Sequence, residues 1–271
     1  MPADSFLVAA LPFDVRPGEV EANRDAALEG VERAAGAGAC LLVLPEKWTT
    51  SFLPSFAEEV RAASHAALAA VHEAAAAVGI VVVGSAPGGE AAKPANRLHF
   101  LGRGGVRHPY DKRVLFSPTG EGRQCRPGSA LPPTLDLGFA RAAGVVCYDL
   151  RFPELTRRAF YDGADLLLLP AQWPTPRAAI LELLARARAA ENQCWLLACN
   201  RAGRASLGSE RVMEFPGTAL LVDPLGEGVT RVDDGGLLLG EVDLAEAREV
   251  RKRVPCARDA RLAGLWPEGA E

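Results

Sequence analysis

Short apolar runs alternate with longer stretches of helical periodicity along most of the chain. Several of the apolar runs are unbroken, which is typical of strands that are covered on both faces. The predicted strands are "FLVAAL", "CLLVLPE", "GIVVVGS", "RLHFLG", "AGVVCYD", "ADLLLLPA", "CWLLACN", "GTALLVD" and "LLLGEVD". The alternation predicts an α/β protein.

Helical patterns fill the intervals between these runs. Two Ala-rich stretches predict helices over 19–37 and 57–78, and a third helix is expected to begin near Pro153, whose fixed φ suits a first turn. The stretch "EAREVRKRVP" predicts a last helix that ends at Pro255. A further helix, "RAAILELLARARAAEN", is expected to bury one apolar face made of Ile180, Leu183, Leu184 and Ala187.

Glycine and proline mark the connections. Loops are predicted over 86–94, 117–134 and 201–217. The segment "RLHFLGRGGVRHPYDK" predicts a hairpin with Gly104 and Gly105 at its turn, so we expect a mixed sheet. Because no composition shift or linker divides the chain, residues 1–271 are expected to form a single domain.

Composition narrows the function class. The net charge of −4 and the pI of about 5.7 argue against binding to nucleic acid or to an anionic membrane surface. No apolar run reaches the roughly 18–20 residues that span a bilayer, and "MPADSFLVAALPFD" is interpreted as a first strand rather than a signal peptide.

The six cysteines are scattered, which favours a reducing, cytoplasmic location. Neither C-x-x-C nor H-x-x-x-H spacing occurs, so no metal site is expected. Cys194 and Cys199 lie in an apolar run and Cys40 opens another, so all three are predicted to be core residues. Cys125 and Cys256 fall in predicted loops and are expected to be partly exposed.

Cys147 stands apart because it ends the run "GVV" and precedes the charged turn "YDLR". Taken alone, such a cysteine is more often a small core residue. A free thiol, with a pKa near 8.5, also needs a base before it can act as a nucleophile. The four histidines all precede Cys147, and no motif pairs one of them with it.

A carboxylate and a lysine offer another route. Glu46 follows "LLVLP" and Lys112 follows the predicted hairpin, so both stand, like Cys147, where an apolar strand or hairpin ends. Sites in α/β proteins assemble at such ends. A desolvated glutamate can act as a general base, and a lysine can stabilise an oxyanion together with the N–H of Tyr148.

The three residues resemble the Glu-Lys-Cys triad of the nitrilase superfamily, the carbon–nitrogen hydrolases. "CYDLRFPEL", "PAQWPTPR" and "ARAAENQCWLLACNRAG" resemble its amidase branches, in particular the bacterial ω-amidases. The resemblance implies a four-layer α-β-β-α sandwich of two mixed sheets flanked by helices. It also implies a cysteine thioester, a second glutamate for which Glu121 is the candidate, no metal or organic cofactor, and a homodimer or larger homo-oligomer.

The implied substrate is a small ω-amide of a dicarboxylic acid, similar to 2-oxoglutaramate, whose distal carboxylate needs a cation. Arg151 is the first candidate, Arg177 and Arg201 are further ones, and Trp173 is a candidate wall of the acyl pocket. A structural alternative for Arg151 is an ion pair with a neighbouring acid, Asp149 or Glu154. Asn96 is predicted only to cap or turn the chain.

Other functions stay open at this stage. The same triad would serve a nitrile hydrolase, an N-carbamoyl amino acid hydrolase or a deaminated-glutathione amidase. A non-catalytic binding protein on the same fold is a further alternative, which the intact triad disfavours. For self-association, the predicted contact surfaces are the C-terminal helix and the region "RRAFYDGADLLLLP".

Overall fold

The computed structural model describes residues 4–89, 93–206 and 212–267, apart from the side chains of 108 and 109. The strands are β1 (Ser5–Ala10), β2 (Leu41–Val43), β3 (Val81–Gly88), β4 (Ala95–Gly102), β5 (Arg107–Asp111), β6 (Thr134–Asp136), β7 (Arg141–Gly144), β8 (Leu166–Ala171), β9 (Trp195–Asn200), β10 (Ala202–Ser206), β11 (Val212–Pro216), β12 (Ala219–Val222), β13 (Val229–Val232) and β14 (Leu238–Asp243). The α-helices are α1 (Val20–Gly36), α2 (Glu58–Val78), α3 (Glu121–Gln124), α4 (Pro153–Tyr161), α5 (Ala178–Asn192), α6 (Leu244–Arg253) and α7 (Cys256–Leu262). Short 3₁₀ turns cover Ser117–Thr119, Cys147–Arg151 and Thr175–Arg177.

Two mixed six-stranded sheets carry the fold. The first has the order β14-β1-β2-β3-β4-β5 and the second β13-β12-β9-β8-β7-β6. In each sheet three central strands are parallel, β1-β2-β3 in the first and β7-β8-β9 in the second, while the outer strands pair antiparallel. The ends of both parallel sets carry the loops that build the site described below.

The two sheets pack face to face, and helices cover their outer faces. One apolar core contains residues of both sheets, such as Val43 and Leu168, each of which is fully buried. A second core lies between the first sheet and helices α1 and α2, and α5 packs on strands β9 and β12 of the second sheet. The expected four-layer α-β-β-α sandwich is therefore confirmed.

The predicted helices are found, but one buried face is wrong. Helix α5 buries Leu181, Ala185 and Arg188, whereas Ile180 and Leu183 are 39% and 66% exposed. Arg188 can lie inward because its guanidinium donates to the Leu150 carbonyl, at 3.0 Å. The inward face of the helix thus combines Leu181, Ala185 and Ala189 with one polar side chain, Arg188. Of the predicted face, Leu184 packs against the core, while Ile180 and Leu183 face outward.

Two further expectations are corrected. The helix α6 is not the last one, because α7 follows directly after Pro255. Strand β8, which lies in the predicted contact region "RRAFYDGADLLLLP", is completely buried between its neighbours and forms no outer surface.

The predicted loops contain structure of their own. The segment 201–217 includes β10 and β11, which pair as a separate antiparallel ribbon. The segment 117–134 includes α3 and the start of β6, and β3 extends to Gly88 in the segment 86–94, of which 90–92 lie outside the described residues. The hairpin of β4 and β5 is confirmed, and Gly104 and Gly105 at its turn have φ values of +86° and +84°, which favour glycine.

Within the described residues, no helix has the combination of length and apolar character that crossing a membrane would require.

Candidate active site

The loop after β2 fixes Glu46. The backbone N–H of the following residue, Lys47, donates to Ser85 Oγ at 2.8 Å, and Gln172 Nε2 donates to the Glu46 carbonyl at 2.5 Å. Trp48 packs in the same loop against Gly84, where an added Cβ would come within 2.6 Å of the indole. Glu46 itself is fully buried, so its carboxylate is held in one place without contact with solvent.

Lys112 follows β5, and hydrogen bonds of its backbone N–H and carbonyl hold it in position. Its N–H donates to the Asn96 carbonyl at 2.8 Å, and its carbonyl accepts from the Gly128 N–H at 2.9 Å. Its buried Nζ lies 2.7 Å from Glu46 Oε1 and 2.8 Å from Glu121 Oε2. One ammonium therefore bridges two carboxylates.

Cys147 begins the 3₁₀ turn that follows β7. Its φ of +52° is unusual for a residue with a side chain and marks local strain, which proteins often hold at functional positions. Asp149 stabilises the turn, since it accepts from Val146 N–H at 3.2 Å and from Val114 N–H at 2.9 Å. Tyr110 donates its hydroxyl to the same carboxylate at 2.9 Å.

The predicted triad comes together. Burial raises the pKa of the Cys147 thiol well above its ordinary value, and the Glu46 carboxylate raises it further. The charge of Lys112 and the backbone N–H of Gln172 oppose that shift. Glu46 Oε1 accepts from Lys112, but no described side chain or backbone group hydrogen-bonds to the buried Oε2. That oxygen is open to a proton from the thiol.

Lys112 stays charged in this setting. Burial opposes its charged form, but Glu121 and Glu46 outweigh burial and raise the pKa of Lys112 well above its ordinary value. A permanently charged ammonium suits the stabilisation of an oxyanion rather than proton transfer.

Glu121 lies beside Lys112 in the same buried cluster. It opens α3 and is fully buried, and its Oε2 accepts from Phe116 N–H at 2.7 Å as well as from Lys112. Burial alone would raise its pKa, but the charges of Lys112 and Lys47 prevail and lower it to about 2. Glu121 is therefore a carboxylate in the folded protein.

Three residues of the site were not predicted from the sequence. Asn96 does not cap the chain: its Nδ2 donates to Glu46 Oε1 at 2.8 Å and to Glu121 Oε1 at 3.1 Å. Gln172 holds the Glu46 loop, and Lys47 lies buried beside Glu121. An amide directly before the predicted strand "RLHFLG" was the one signal that could have pointed to Asn96.

A cavity of about 440 Å³ opens above Cys147. Arg151 lies with its guanidinium carbon 4.8 Å from the ring centroid of Trp173, and Arg177 lies 5.1 Å from that of Phe116. The cavity is lined by Phe116, Pro118, Thr119, Cys147, Tyr148, Arg151, Gln172, Trp173, Pro174, Pro176, Arg177, Val212 and Met213. Two cations thus share this cavity with the thiol.

The alternative ion pair of Arg151 is not formed. The carboxylate of Asp149 accepts hydrogen bonds from Tyr110 and from backbone N–H groups. In the described part of the chain, no salt bridge joins Arg151 to Asp149 or Glu154. The guanidinium of Arg151 is stacked on Trp173 instead.

Arg201 is placed differently from the other two arginines. It is fully buried and does not line the cavity. Its Nη2 forms an ion pair with Asp14 at 2.7 Å, and its Nη1 donates to Ser51 Oγ and Gln172 Oε1 at 3.1 Å and 3.2 Å. The expected contact with substrate is thus replaced by a bracing position behind Gln172.

The cysteine expectations hold in part. All six cysteines are free thiols, and Cys194 and Cys199 are buried as predicted. Cys40 is only partly buried. Cys125 is 1% exposed, contrary to the loop prediction, because Lys47 Nζ reaches it at 3.1 Å.

The chain is similar in sequence to proteins of known function over most of its length. The family model described as carbon–nitrogen hydrolase matches residues 7–252. The chain is 32% identical to the 2-oxoglutaramate amidase of Bacillus subtilis (strain 168), over 94% of this chain and 98% of that protein. It is also 32% identical to the omega-amidase YafV of Escherichia coli (strain K12), over 89% of this chain and 90% of that protein.

A solved structure shows the same likeness. It is a variant of the amidase from Nesterenkonia sp. AN1 in which the acetamide moiety of fluoroacetamide is covalently added at the active-site cysteine. The TM-score is 0.81 at 29% identity, and the match covers 95% of this chain and 98% of that chain.

Proposed function

The chain belongs to the carbon–nitrogen hydrolase family, and we propose that it is a thiol amidase with Cys147 as its nucleophile. The reaction is hydrolysis of a small ω-amide of a dicarboxylic acid, similar to 2-oxoglutaramate, to the acid and ammonia. The observation that carries the proposal is the convergence of Glu46, Lys112 and Cys147 beside a cavity. The names of the Bacillus and Escherichia relatives support the choice of substrate class.

The first half of the reaction forms a thioester. Glu46 Oε2 takes the thiol proton while Cys147 Sγ attacks the amide carbon, so that no free thiolate need accumulate at a raised pKa. Lys112 and the N–H of Tyr148 stabilise the oxyanion. The C–N bond then breaks, and the leaving nitrogen takes the proton back from Glu46 and departs as ammonia.

The second half consumes one water. Glu46 takes a proton from the water, and the water oxygen attacks the thioester carbon. The C–S bond breaks, the acid leaves, and the proton returns to Cys147 Sγ. Glu121 shares the ammonium of Lys112 with Glu46, which supports a role for it in positioning Lys112 or the water.

Arg151 and Arg177 are the proposed recognition groups for the distal carboxylate. Each is stacked on an aromatic ring of the cavity wall, and in the described residues neither guanidinium is bonded to a carboxylate. Trp173 holds the guanidinium of Arg151 at the cavity wall, where its N–H groups can bind a carboxylate in a bidentate manner.

The test is a panel assay of ammonia release with wild type, Cys147→Ala and Arg151→Leu. The panel is 2-oxoglutaramate, 2-oxosuccinamate, glutamine, a simple nitrile, a carbamoyl amino acid and an amide without a distal carboxylate. We expect Cys147→Ala to be inactive throughout, and Arg151→Leu to raise KM only for amides that carry a distal carboxylate. Full activity of Cys147→Ala would refute the nucleophile, and an equal loss on every amide would refute the role of Arg151.

The same panel separates the alternatives that share this triad. Turnover of the nitrile would favour a nitrile hydrolase, and release of carbon dioxide with ammonia would favour a carbamoyl hydrolase. A preference for a bulky deaminated-glutathione substrate, added to the panel, would favour that amidase instead. Absence of turnover on every compound would favour a binding protein.

Self-association and a cytoplasmic location complete the proposal. Ile180 and Leu183 of α5 and Leu262 and Leu265 near the C-terminus are exposed apolar side chains, which supports a homodimer or larger homo-oligomer. The free state of all six cysteines supports a reducing compartment.

A further inference from the structure

A second buried lysine, Lys47, lies beside the proposed site, and no step above uses it. Its side chain is 0% exposed, and its Nζ lies 3.7 Å from Glu121 Oε1. The same atom is 3.1 Å from Cys125 Sγ and 4.0 Å from the ring centroid of Phe52. Burying an ammonium is costly without a compensating anion, and the ionised partner that the structure gives Lys47 is Glu121.

Charge balance explains this placement. Glu46 and Glu121 face Lys112 and Lys47, and all four side chains are 0% exposed. With Lys112 as the single cation, two buried carboxylates would compete for it, and such pairs tend to take up a proton. Lys47 supplies the second positive charge on the side of Glu121 that Lys112 does not reach.

We propose that Lys47 is a positioning residue whose charge keeps Glu121 ionised, so that Lys112 stays centred between two carboxylates and Glu46 stays unprotonated as the base. The inference rests on the proposed function of Glu46 and Lys112. The lowered pKa of Glu121, to which Lys47 contributes after Lys112, supports it.

The charges around Lys47 determine in which direction the pH dependence of activity should shift when Lys47 is removed. Besides Lys47, the titratable groups in and around this buried cluster are Glu46, Lys112, Glu121, Cys125, Cys147 and Asp149. Within this set Lys112 is the single remaining cation once Lys47 is removed. The pKa of Glu121 must then rise, and Glu46 and Glu121 compete for the one ammonium of Lys112, so activity is lost at a higher pH.

The experiment compares Lys47→Met with wild type in the full chain, from about pH 5 to about pH 9 on 2-oxoglutaramate. Methionine matches the apolar stem of lysine as far as Cε and removes the charged Nζ. We expect the acid limb of kcat to move up by about one pH unit or more, which is a tenfold loss or greater on the acid side. KM should change less than about threefold, and activity should recover toward alkaline pH.

The matched control is Lys252→Met, because Lys252 lies on α6 with its side chain 77% exposed. Its pH profile should coincide with that of wild type. A Lys47→Met profile that keeps the wild-type shape, whether or not its height falls, would overturn the proposal, because a purely structural role lowers activity without moving the limb.

A double variant keeps the test decisive if Lys47→Met folds poorly. Lys47→Met combined with Glu121→Gln removes one charge of each sign, so its Tm should exceed that of Lys47→Met alone. A double variant no more stable than Lys47→Met would contradict the charge pairing, since a packing defect at Lys47 is not repaired at Glu121.

Parallel assay of Cys147→Ala separates the two proposals. Retained activity of Cys147→Ala would overturn the proposed function and, with it, the role of Lys47. An inactive Cys147→Ala together with an unshifted Lys47→Met profile would overturn the role of Lys47 alone.

Discussion

The carboxylate of Glu46 has two oxygens in different surroundings. Oε1 accepts from Lys112 Nζ and Asn96 Nδ2, whereas the buried Oε2 accepts no hydrogen bond from the described residues. The bonded oxygen fixes the orientation of the group, and the open oxygen provides its basicity. A general base that is both fixed and available is what attack by a protonated thiol requires.

Glu46→Gln tests this division. The glutamine carbonyl can still accept from Lys112 and Asn96, but its amide cannot take a proton, so we expect kcat to fall by about 10²- to 10⁴-fold with the fold intact. Steady-state ammonia release and near-UV circular dichroism measure the two properties. The interpretation fails if the variant keeps more than about a tenth of wild-type kcat.

Glu121 makes a prediction about acid stability. Its pKa falls from 4.5 to about 2 on folding, so its stabilising effect is complete above pH 4.5 and is lost as the pH falls toward 2. Glu121→Gln should therefore be less stable than wild type at neutral pH, and the difference should shrink through that window. Urea unfolding at a series of pH values measures it.

The control for this series is Glu249→Gln, whose carboxylate on α6 is 55% exposed. It should track wild type at every pH. A gap between Glu121→Gln and wild type that stays constant from neutral to acid pH would argue against an ionised Glu121.

At the scale of single residues, the sequence predicts the three proposed reacting groups better than the residues that position them. Glu46, Lys112 and Cys147 stand at ends of apolar runs, where local pattern and family resemblance both point. Lys47, Asn96 and Gln172 act through contacts between residues far apart in sequence, as with Glu46 and Gln172, which are 126 positions apart. Apart from the position of Asn96 beside a predicted strand, nothing near them in the sequence predicts those contacts.

The 3₁₀ turn of Cys147–Arg151 is the element on which the nucleophile depends. It holds Cys147 at a φ of +52°, a conformation that costs about 1–3 kcal/mol unless surrounding contacts enforce it. Asp149 provides those contacts by accepting three hydrogen bonds, from Val146, Val114 and Tyr110. Burial raises the pKa of Asp149 to about 6, so it is still ionised at neutral pH.

Asp149→Asn should destabilise this turn. The amide group must face at least one of the three donors, which leaves buried polar atoms unpaired and costs about 1–3 kcal/mol of unfolding free energy. Chemical denaturation measures the loss, with Asp25→Asn, whose carboxylate is 65% exposed, as the control. Equal stability of the Asp149 variant and wild type would show that the turn does not need this carboxylate.

Elements with regular patterns could be predicted, and elements shaped by tertiary contacts could not. Helix α5 was predicted, but its inward face was not, because Arg188 is buried through its bond to the Leu150 carbonyl. Strand β10 consists of small and polar residues and β11 is only five residues long, and the two are held by pairing with each other, so neither has a clear strand pattern in the sequence.

At the scale of the whole molecule, the two sheets bring distant loops to one place. Glu46 and Lys112 follow strands of the first sheet, and Cys147 follows a strand of the second, so the site exists only when the sheets are packed together. The layered form came from family resemblance, because strand spacing alone does not separate one open sheet from two packed ones.

The exposed apolar side chains lead to a prediction about assembly. Leu183 and Leu262 are 66% and 81% exposed, and covering such groups favours association. Light scattering during size-exclusion chromatography should give a mass of at least twice 28.6 kDa. Leu183→Glu should reduce that mass, and a wild-type mass of one chain would refute the proposal.

The central claim is that the acyl group passes through the sulfur of Cys147. The most direct measurement is intact mass spectrometry after the enzyme is mixed with 2-oxoglutaramate and quenched in acid, followed by peptide mapping. The account predicts a mass increase equal to that of the substrate less ammonia, located on Cys147 and absent from Cys147→Ala. Turnover of the substrate with no adduct on Cys147 at any time, or with the adduct on another residue, would contradict it.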